Sequence, residues 1–300
     1  MLLGGDFRQI LPVIPKGTRQ DTVNASISKS YLWHSAQVHT LSINMTLRQA
    51  DKKFAEWILS VGNGTTATVE TYAGSHEDGE KIVIADEFML LKSDNPYQLI
   101  SDAAYPNFVE NYLNRSYLTD RAILAPTNAS AQEMNSYLLS KVPSAEKEYL
   151  SSDTISFEST PTDDWTKNYT QEYLNSLEYS GLLTHKLCLK VGAPVMMLCN
   201  LNQRNGLCNG TRMVVSRLGH RVLEAQIMTG THSRTESQVA LYLPRPVFSH
   251  GQLYVALSRV TTPEGLKVLD DTEGTSQRDI VTNIVSREVF SNMNTSESQI

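Results

Sequence analysis

Cysteine is scarce in this sequence, with three in 300 residues: Cys188, Cys199 and Cys208. An odd count at such wide spacing matches neither a Cys-x-x-Cys metal pair nor a disulfide framework, so these residues are expected to be reduced, mostly buried apolar fillers, and no metal site is expected. Long apolar runs are missing too. Nothing approaches the roughly 20 residues of a membrane span, and the opening MLLGGDFRQ has neither the basic region nor the apolar core of a secretion signal. The expectation is an intracellular protein with no membrane partner, in which the Asn-x-Ser/Thr triplets at Asn24, Asn114 and Asn209 are chance occurrences. Net positive charge is also lacking. Lys and Arg total 26 against 32 Asp and Glu, a formal charge of -6. That excludes a uniformly basic nucleic-acid coat and leaves only local charge to be read.

What is present is a chain long enough for real cores, with two stretches that ask for an anion. His250 to Arg259, HGQLYVALSR, ends an apolar run (Val255, Ala256, Leu257) in an arginine that nothing local explains. Near the other end, Gly4-Gly5-Asp6-Phe7-Arg8-Gln9 follows an apolar strand tail, the position at which open α/β sheets bind ligands. Gln9 could set an amide beside a phosphate or an attacking water, and the pair of stretches suggests two halves closing on one phosphate-bearing ligand. The plainer readings are a surface turn with an ordinary arginine and a Gly-Gly-Asp turn capped by Asp6.

Between them the chain reads as α/β. A helix is expected around Val23 to Trp33 and a β-type run at Val38 to Ile43. The next helix, opened by NMTLRQ, repeats Phe54, Trp57, Ile58 and Val61 on one face until Gly62 and Gly64 end it. Arg48 at its start is either a solvated cation or a phosphate contact. A strand at Lys81 to Ala85 and a helix near Tyr97 to Tyr105 precede one clear β-turn-α unit, strand Arg121 to Ala125 and helix Ala129 to Ser140. Residues 144 to 178 are acidic and read as an exposed excursion ending in an amphipathic turn at Tyr173 to Leu177.

The charge then reverses. From Leu183 to Leu223 there is no Asp or Glu, while Lys186, Lys190, Arg204, Arg212, Arg217 and Arg221 are basic. Alternating apolar positions and the turns Asn205-Gly206 and Asn209-Gly210 predict a small antiparallel unit with one basic side, suited to a phosphate backbone. A strand region that merely lacks acids is the plainer alternative. Strands follow at Met213 to Ser216, Val222 to Ile227, Val239 to Leu243 and Gly265 to Leu269, then a weakly helical Ile280 to Phe290 and a frayed tail.

Taken in order, GGDFRQILPVIP, the NM-LRQ region, RAILAPTN, HKLCLKVGAPVMML with NGLCNGTR, and HGQLYVALSRV closely resemble the PIF family of superfamily-one ATP-dependent DNA helicases, above all the members carried by Helitron-type transposons and their plant relatives. The resemblance implies two RecA-like α/β motor domains with a small β-barrel-like insertion in the second. It implies ATP and Mg2+ as cofactors, single-stranded DNA as partner, 5′ to 3′ movement, and the nuclear work of repair, recombination and telomere maintenance. Carried over by position, Gly5, Asp6 and Gln9 would couple to the γ-phosphate and Arg259 would be the arginine finger, with Arg48 as a substitute second finger because Thr46 stands where the family usually has arginine. His185, Lys186, Lys190, Asn209, Gly210 and Arg212 would hold the DNA strand. The implied organisation is 1–62 as the remnant of the first motor domain, 63–118 connector and start of the second, 119–182 second motor domain, 183–237 abridged basic insertion, 238–270 final strands and 271–300 tail.

Two departures shape the expectation. A glycine-rich loop ending in Lys-Ser/Thr and an acidic pair for magnesium, which phosphoryl transfer in this class requires, are absent from these residues. Residues 230–237 also bridge directly where the family carries a further stretch with a Ser-Gln-Gly motif. The sequence therefore reads as an amino-terminally truncated helicase that does not hydrolyse ATP by itself. The competing readings are a non-catalytic single-strand-binding remnant and a partial gene model.

Overall fold

The computed structural model describes residues 2–41, 47, 51–69, 79–154, 170–177, 184–228, 236–272 and 279–292. In chain order their regular elements are α1 (Arg19–Asn24), α2 (Lys52–Asn63), β1 (Glu80–Val83), α3 (Pro96–Ala104), α4 (Phe108–Asn111), α5 (Arg115–Thr119), β2 (Arg121–Leu124), α6 (Asn128–Lys141), β3 (Glu146–Leu150), α7 (Gln171–Ser176), β4 (Lys186–Lys190), β5 (Pro194–Met196), β6 (Arg212–Leu218), β7 (Leu223–Ile227), β8 (Gln238–Leu243), α8 (Gln252–Leu257), β9 (Leu266–Asp270) and β10 (Ile280–Asn283). They fall into two compact units. The first comprises Met1–Pro106, Asp120–Met134 and His232–Ile300, the second Asn107–Thr119 and Asn135–Thr231.

The first unit is built on a parallel sheet in the order β2-β8-β9. Its middle strand reads Gln-Val-Ala-Leu-Tyr-Leu, and every residue after Gln238 is buried, as expected for a parallel strand covered on both faces. Beside it β1 pairs antiparallel with β10. Helix α2 adds its apolar face, Phe54, Ile58 and Val61, to a core shared with Leu253 and Leu257 of α8, Leu241 of β8 and Val268 of β9. Trp57 stacks on Phe54 and on Phe88 at centroid distances of 5.6 and 5.8 Å, and Phe54 meets Phe88 tilted at 5.6 Å. The helix stops at Gly64, whose φ of 68° is left-handed, and Thr65 N–H then reaches back to the Ser60 carbonyl, the closure that a glycine past a helix end permits.

The second unit is mostly antiparallel. β3 pairs with β4, and β5-β6-β7 form a separate three-stranded sheet. Gly192, with φ 91°, turns the chain from β4 into β5, and a Cβ there would lie 2.7 Å from the Tyr112 ring. The glycine of the VGAP run is thus required both for its backbone angle and for its closeness to a neighbour.

Several expectations need correction. The helix predicted for Val23 to Trp33 is broken into α1 and 3-10 turns at Ile27–Lys29 and Tyr31–Ser35, because Ser26 and Ser30 take extended backbone and serines compete for backbone groups rather than continue a helix. Residues 38–41 form no strand, and 42–46 lie outside the described residues. Ile280 to Asn283 are strand rather than helix, in keeping with the β-branched Ile-Val-Thr run. The sheets of the second unit do not close into a barrel among the described residues. The cysteines are free, but Cys199 is exposed and the other two are half-buried, since a unit of small sheets offers little depth for fillers.

Candidate functional site

Within the first unit the two anion-seeking stretches meet. Gly4 to Gln9 forms a turn closed by Gln9 N–H donating to the Asp6 carbonyl at 3.0 Å. The Asp6 carboxylate accepts from Arg8 N–H at 3.0 Å and from the Arg8 guanidinium at 3.2 Å through Oδ1, and from the Tyr254 hydroxyl at 2.8 Å through Oδ2. Arg8 extends this network by donating Nε–H to Asn63 Oδ1 at 2.7 Å, at the end of α2. Burial pushes the Tyr254 phenol far above its ordinary value, with the bond to Asp6 acting in the same direction, so the hydroxyl keeps the proton it donates.

A second joint lies beside the first. Buried His250 accepts the Ser286 N–H at Nδ1, 2.8 Å away, which leaves Nε2 as the protonated nitrogen donating to the Phe7 carbonyl at 2.8 Å. Burial holds this imidazole below its usual value. Gly251 follows with φ 72°, and a Cβ there would lie 2.1 Å from the Arg8 carbonyl oxygen. The side chains that join the two stretches are therefore those of His250 and Tyr254. Gln9 is exposed, and Arg259 is half-buried just past α8, where its carbonyl accepts from Glu236 N–H at 2.9 Å.

In the second unit the acid-free segment is less open than its charge suggests. His185 Nδ1 lies 2.7 Å from Ser151 Oγ. Lys186 is paired with Glu148, and that carboxylate raises the lysine's pKa. Lys190 donates to the Val142 carbonyl at 3.0 Å. Arg212 donates to the Leu118 and Thr119 carbonyls at 3.0 and 3.4 Å, closing the end of α5. Asn209 N–H is taken by Asn200 Oδ1 at 2.9 Å, and Gly210, with φ 88°, faces open space. Arg204, Arg217 and Arg221 are exposed.

Two family models match the chain: PIF1-like helicase over residues 1–72, and the 2B domain of the DNA helicase Pif1 over residues 172–218. Over these two segments, which together make up less than half of the chain, the sequence is similar to PIF1-like helicases. Solved structures agree on the fold. Pif1 from Bacteroides in complex with ADP-AlF3 and ssDNA is 16% identical with a TM-score of 0.51, over 92% of this chain and 63% of that one. Bacteroides Pif1 bound to ssDNA is 16% identical with a TM-score of 0.50 over the same shares. Pif1 helicase from Candida albicans is 18% identical with a TM-score of 0.50, over 88% of this chain and 63% of that one. The chain thus spans less than two thirds of each of these three Pif1 structures. No curated protein sequence matches it. No described helix is long and apolar enough to cross a membrane.

The PIF1-like fold carries RecA-like α/β layers, and the matched segments contain the Gly4 to Gln9 turn and the strands from Lys186 to Leu218. Arg48 lies outside the described residues. The acid of the Gly4 to Gln9 turn is already engaged. The Asp6 carboxylate is committed to Arg8 and Tyr254, and no group of three or more His, Cys, Asp or Glu among the described residues could hold a metal ion. Sequence reading singled out Arg259 in HGQLYVALSR and passed over His250 and Tyr254. Their partners in the Gly4 to Gln9 turn are more than 240 positions away, and no local periodicity could have named them.

Proposed function

We propose that this chain supplies part of an ATP-dependent DNA helicase that moves 5′ to 3′ along single-stranded DNA. In this reading 1–62 is the end of the first motor lobe and 238–270 belongs to the second. Gln9 and Arg259 are the residues that would sense and stabilise a γ-phosphate held by a phosphate loop these 300 residues do not contain, with Arg48 as a second cation. The chain by itself binds single-stranded DNA through its second unit and does not turn over ATP. The observation that carries the reading is that the two family matches include the two candidate sites: the first holds the Gly4 to Gln9 turn with its Asp6 network, the second the acid-free strands from Lys186 to Leu218.

The test is an ATPase assay on the purified chain with saturating single-stranded DNA and Mg2+. The expected rate equals that of the Arg259→Ala variant. A DNA-stimulated rate that disappears with Arg259→Ala would overturn the claim that the chain is catalytically incomplete.

A further inference from the structure

We propose that the tip of the β6–β7 hairpin, Arg217 to Leu223, is where the second unit meets single-stranded DNA, with Arg221 and Arg217 on the phosphates and the His220 ring against a base. The inference rests on the reading above that this unit binds DNA, and relocates the contact from the motif residues to the tip.

The first support is what the other cations are doing. Lys186 is paired with Glu148, Lys190 donates to a backbone carbonyl, and Arg212 closes the end of α5. Taking these groups to a phosphate would break interactions already formed, whereas Arg217 and Arg221, like Arg204 on a separate turn, are exposed. The second is rigidity. Gly219 N–H donates to the Val222 carbonyl at 2.8 Å, which tightens the turn. The Gly219 carbonyl then accepts from Lys147 Nζ and from the Tyr149 hydroxyl, each at 2.7 Å. Two donors from β3 converge on one oxygen, so the tip is held before any ligand arrives, and little ordering remains to be done on binding.

The third support is the register. Pairing of β6 with β7 slips between Val215 and Arg217, and a bulge of this kind re-aims the side chains after it. Met213, Val214 and Val215 are buried, yet Arg217 emerges exposed. Beyond it stand His220 and Arg221, then Val222 and Leu223, 67% and 44% exposed. Cation, flat ring and apolar surface on a fixed turn suit a single strand, whose phosphates need charge and whose unstacked bases need a face to lie on. Glu224 sits directly across from Arg217 and is the carboxylate that tempers the patch.

The experiment measures fluorescence anisotropy of a labelled oligothymidylate with the whole 300-residue chain at low salt. The double substitution Arg217→Ala and Arg221→Ala is expected to weaken binding by about tenfold and to flatten the log-log salt slope by about 1.4, from about 0.7 for each single-strand phosphate that is no longer neutralised. Glu224→Gln is expected to tighten binding by roughly twofold, since it removes the charge that opposes the patch. All the substituted side chains are exposed, and matched thermal melts check that the fold is kept. Wild-type binding that the double variant leaves unchanged would overturn this inference while leaving the DNA-binding reading intact. Equal affinity for a blunt duplex of the same length would overturn the single-strand assignment. Absence of binding by the wild-type chain would remove both.

Discussion

The Tyr254 hydroxyl donates to Asp6 Oδ2 at 2.8 Å, a bond between residues 248 positions apart. It ties two stretches that are each ordinary as local sequence, and anchors the Gly4 to Gln9 turn to α8.

Tyr254→Phe keeps the ring in place and removes the donor. Asp6 retains Arg8, so the expected loss is that of one hydrogen bond to a charged group, roughly 1.5 to 3 kcal/mol, reduced toward the lower figure by partial exposure. Urea denaturation of the single variants Tyr254→Phe and Asp6→Asn and of their double should give non-additive losses, with a coupling of about 0.5 kcal/mol or more. Additive losses would mean the two side chains do not interact.

His250 predicts a pH dependence of stability. Its folded pKa lies below the ordinary value because of burial, so below about pH 6.5 the unfolded chain takes up a proton that the folded one refuses. Stability is therefore complete above that value and falls as pH drops below it, by up to about 1.4 kcal/mol per pH unit until the folded pKa is reached. Carboxylates with lowered pKa, such as Glu288, contribute only at more acidic pH. Melting temperatures between about pH 7 and 5 should fall for the wild type and stay nearly flat for His250→Gln.

Gly251 and Gly210 separate backbone angle from contact. Both have left-handed φ, but a Cβ at Gly251 would overlap the Arg8 carbonyl oxygen, while at Gly210 it meets nothing within 4 Å. Gly210→Ala should cost about 1 to 2 kcal/mol, the backbone penalty. Gly251→Ala should cost clearly more, and loss of soluble folded protein would be an extreme form of the same outcome. Equal losses for the two would contradict the close approach of the HGQ turn to Arg8.

Arg212→Ala tests whether this motif arginine is structural. Removing its bonds to the Leu118 and Thr119 carbonyls should destabilise the chain by about 1 to 3 kcal/mol, whereas Arg221→Ala should change stability by less than about 0.5 kcal/mol. A neutral Arg212→Ala would return that residue to the pool of cations available for DNA.

Much of this fold was legible where periodicity was strong. Phe54, Ile58 and Val61 marked the buried face of α2, the Arg121 to Ala125 strand and the helix after it were plain, and the uninterrupted apolar run of β8 announced a strand. Short elements were not legible. α1 is set by a Thr18–Asp21 capping box and the Tyr31–Ser35 turn by a Ser30 cap, and β10 forms because β1, about 200 residues earlier, offers it an edge. At the candidate sites, residue type and charge sign could be read, but not which groups are already engaged. Lys190 and Arg212 read as free cations in the sequence, and only the structure shows the backbone carbonyls that engage them. Tyr254 and His250 look like filler until the turn they hold is seen.

The central claim is that this chain binds single-stranded DNA through exposed positive charge. Its most direct test is the affinity of the unmodified chain for an oligothymidylate across about 50 to 200 mM salt. Log K is expected to fall linearly with log salt concentration, with a slope corresponding to at least two phosphate contacts. Binding that is indifferent to salt, or absent at the lowest salt, would contradict that claim.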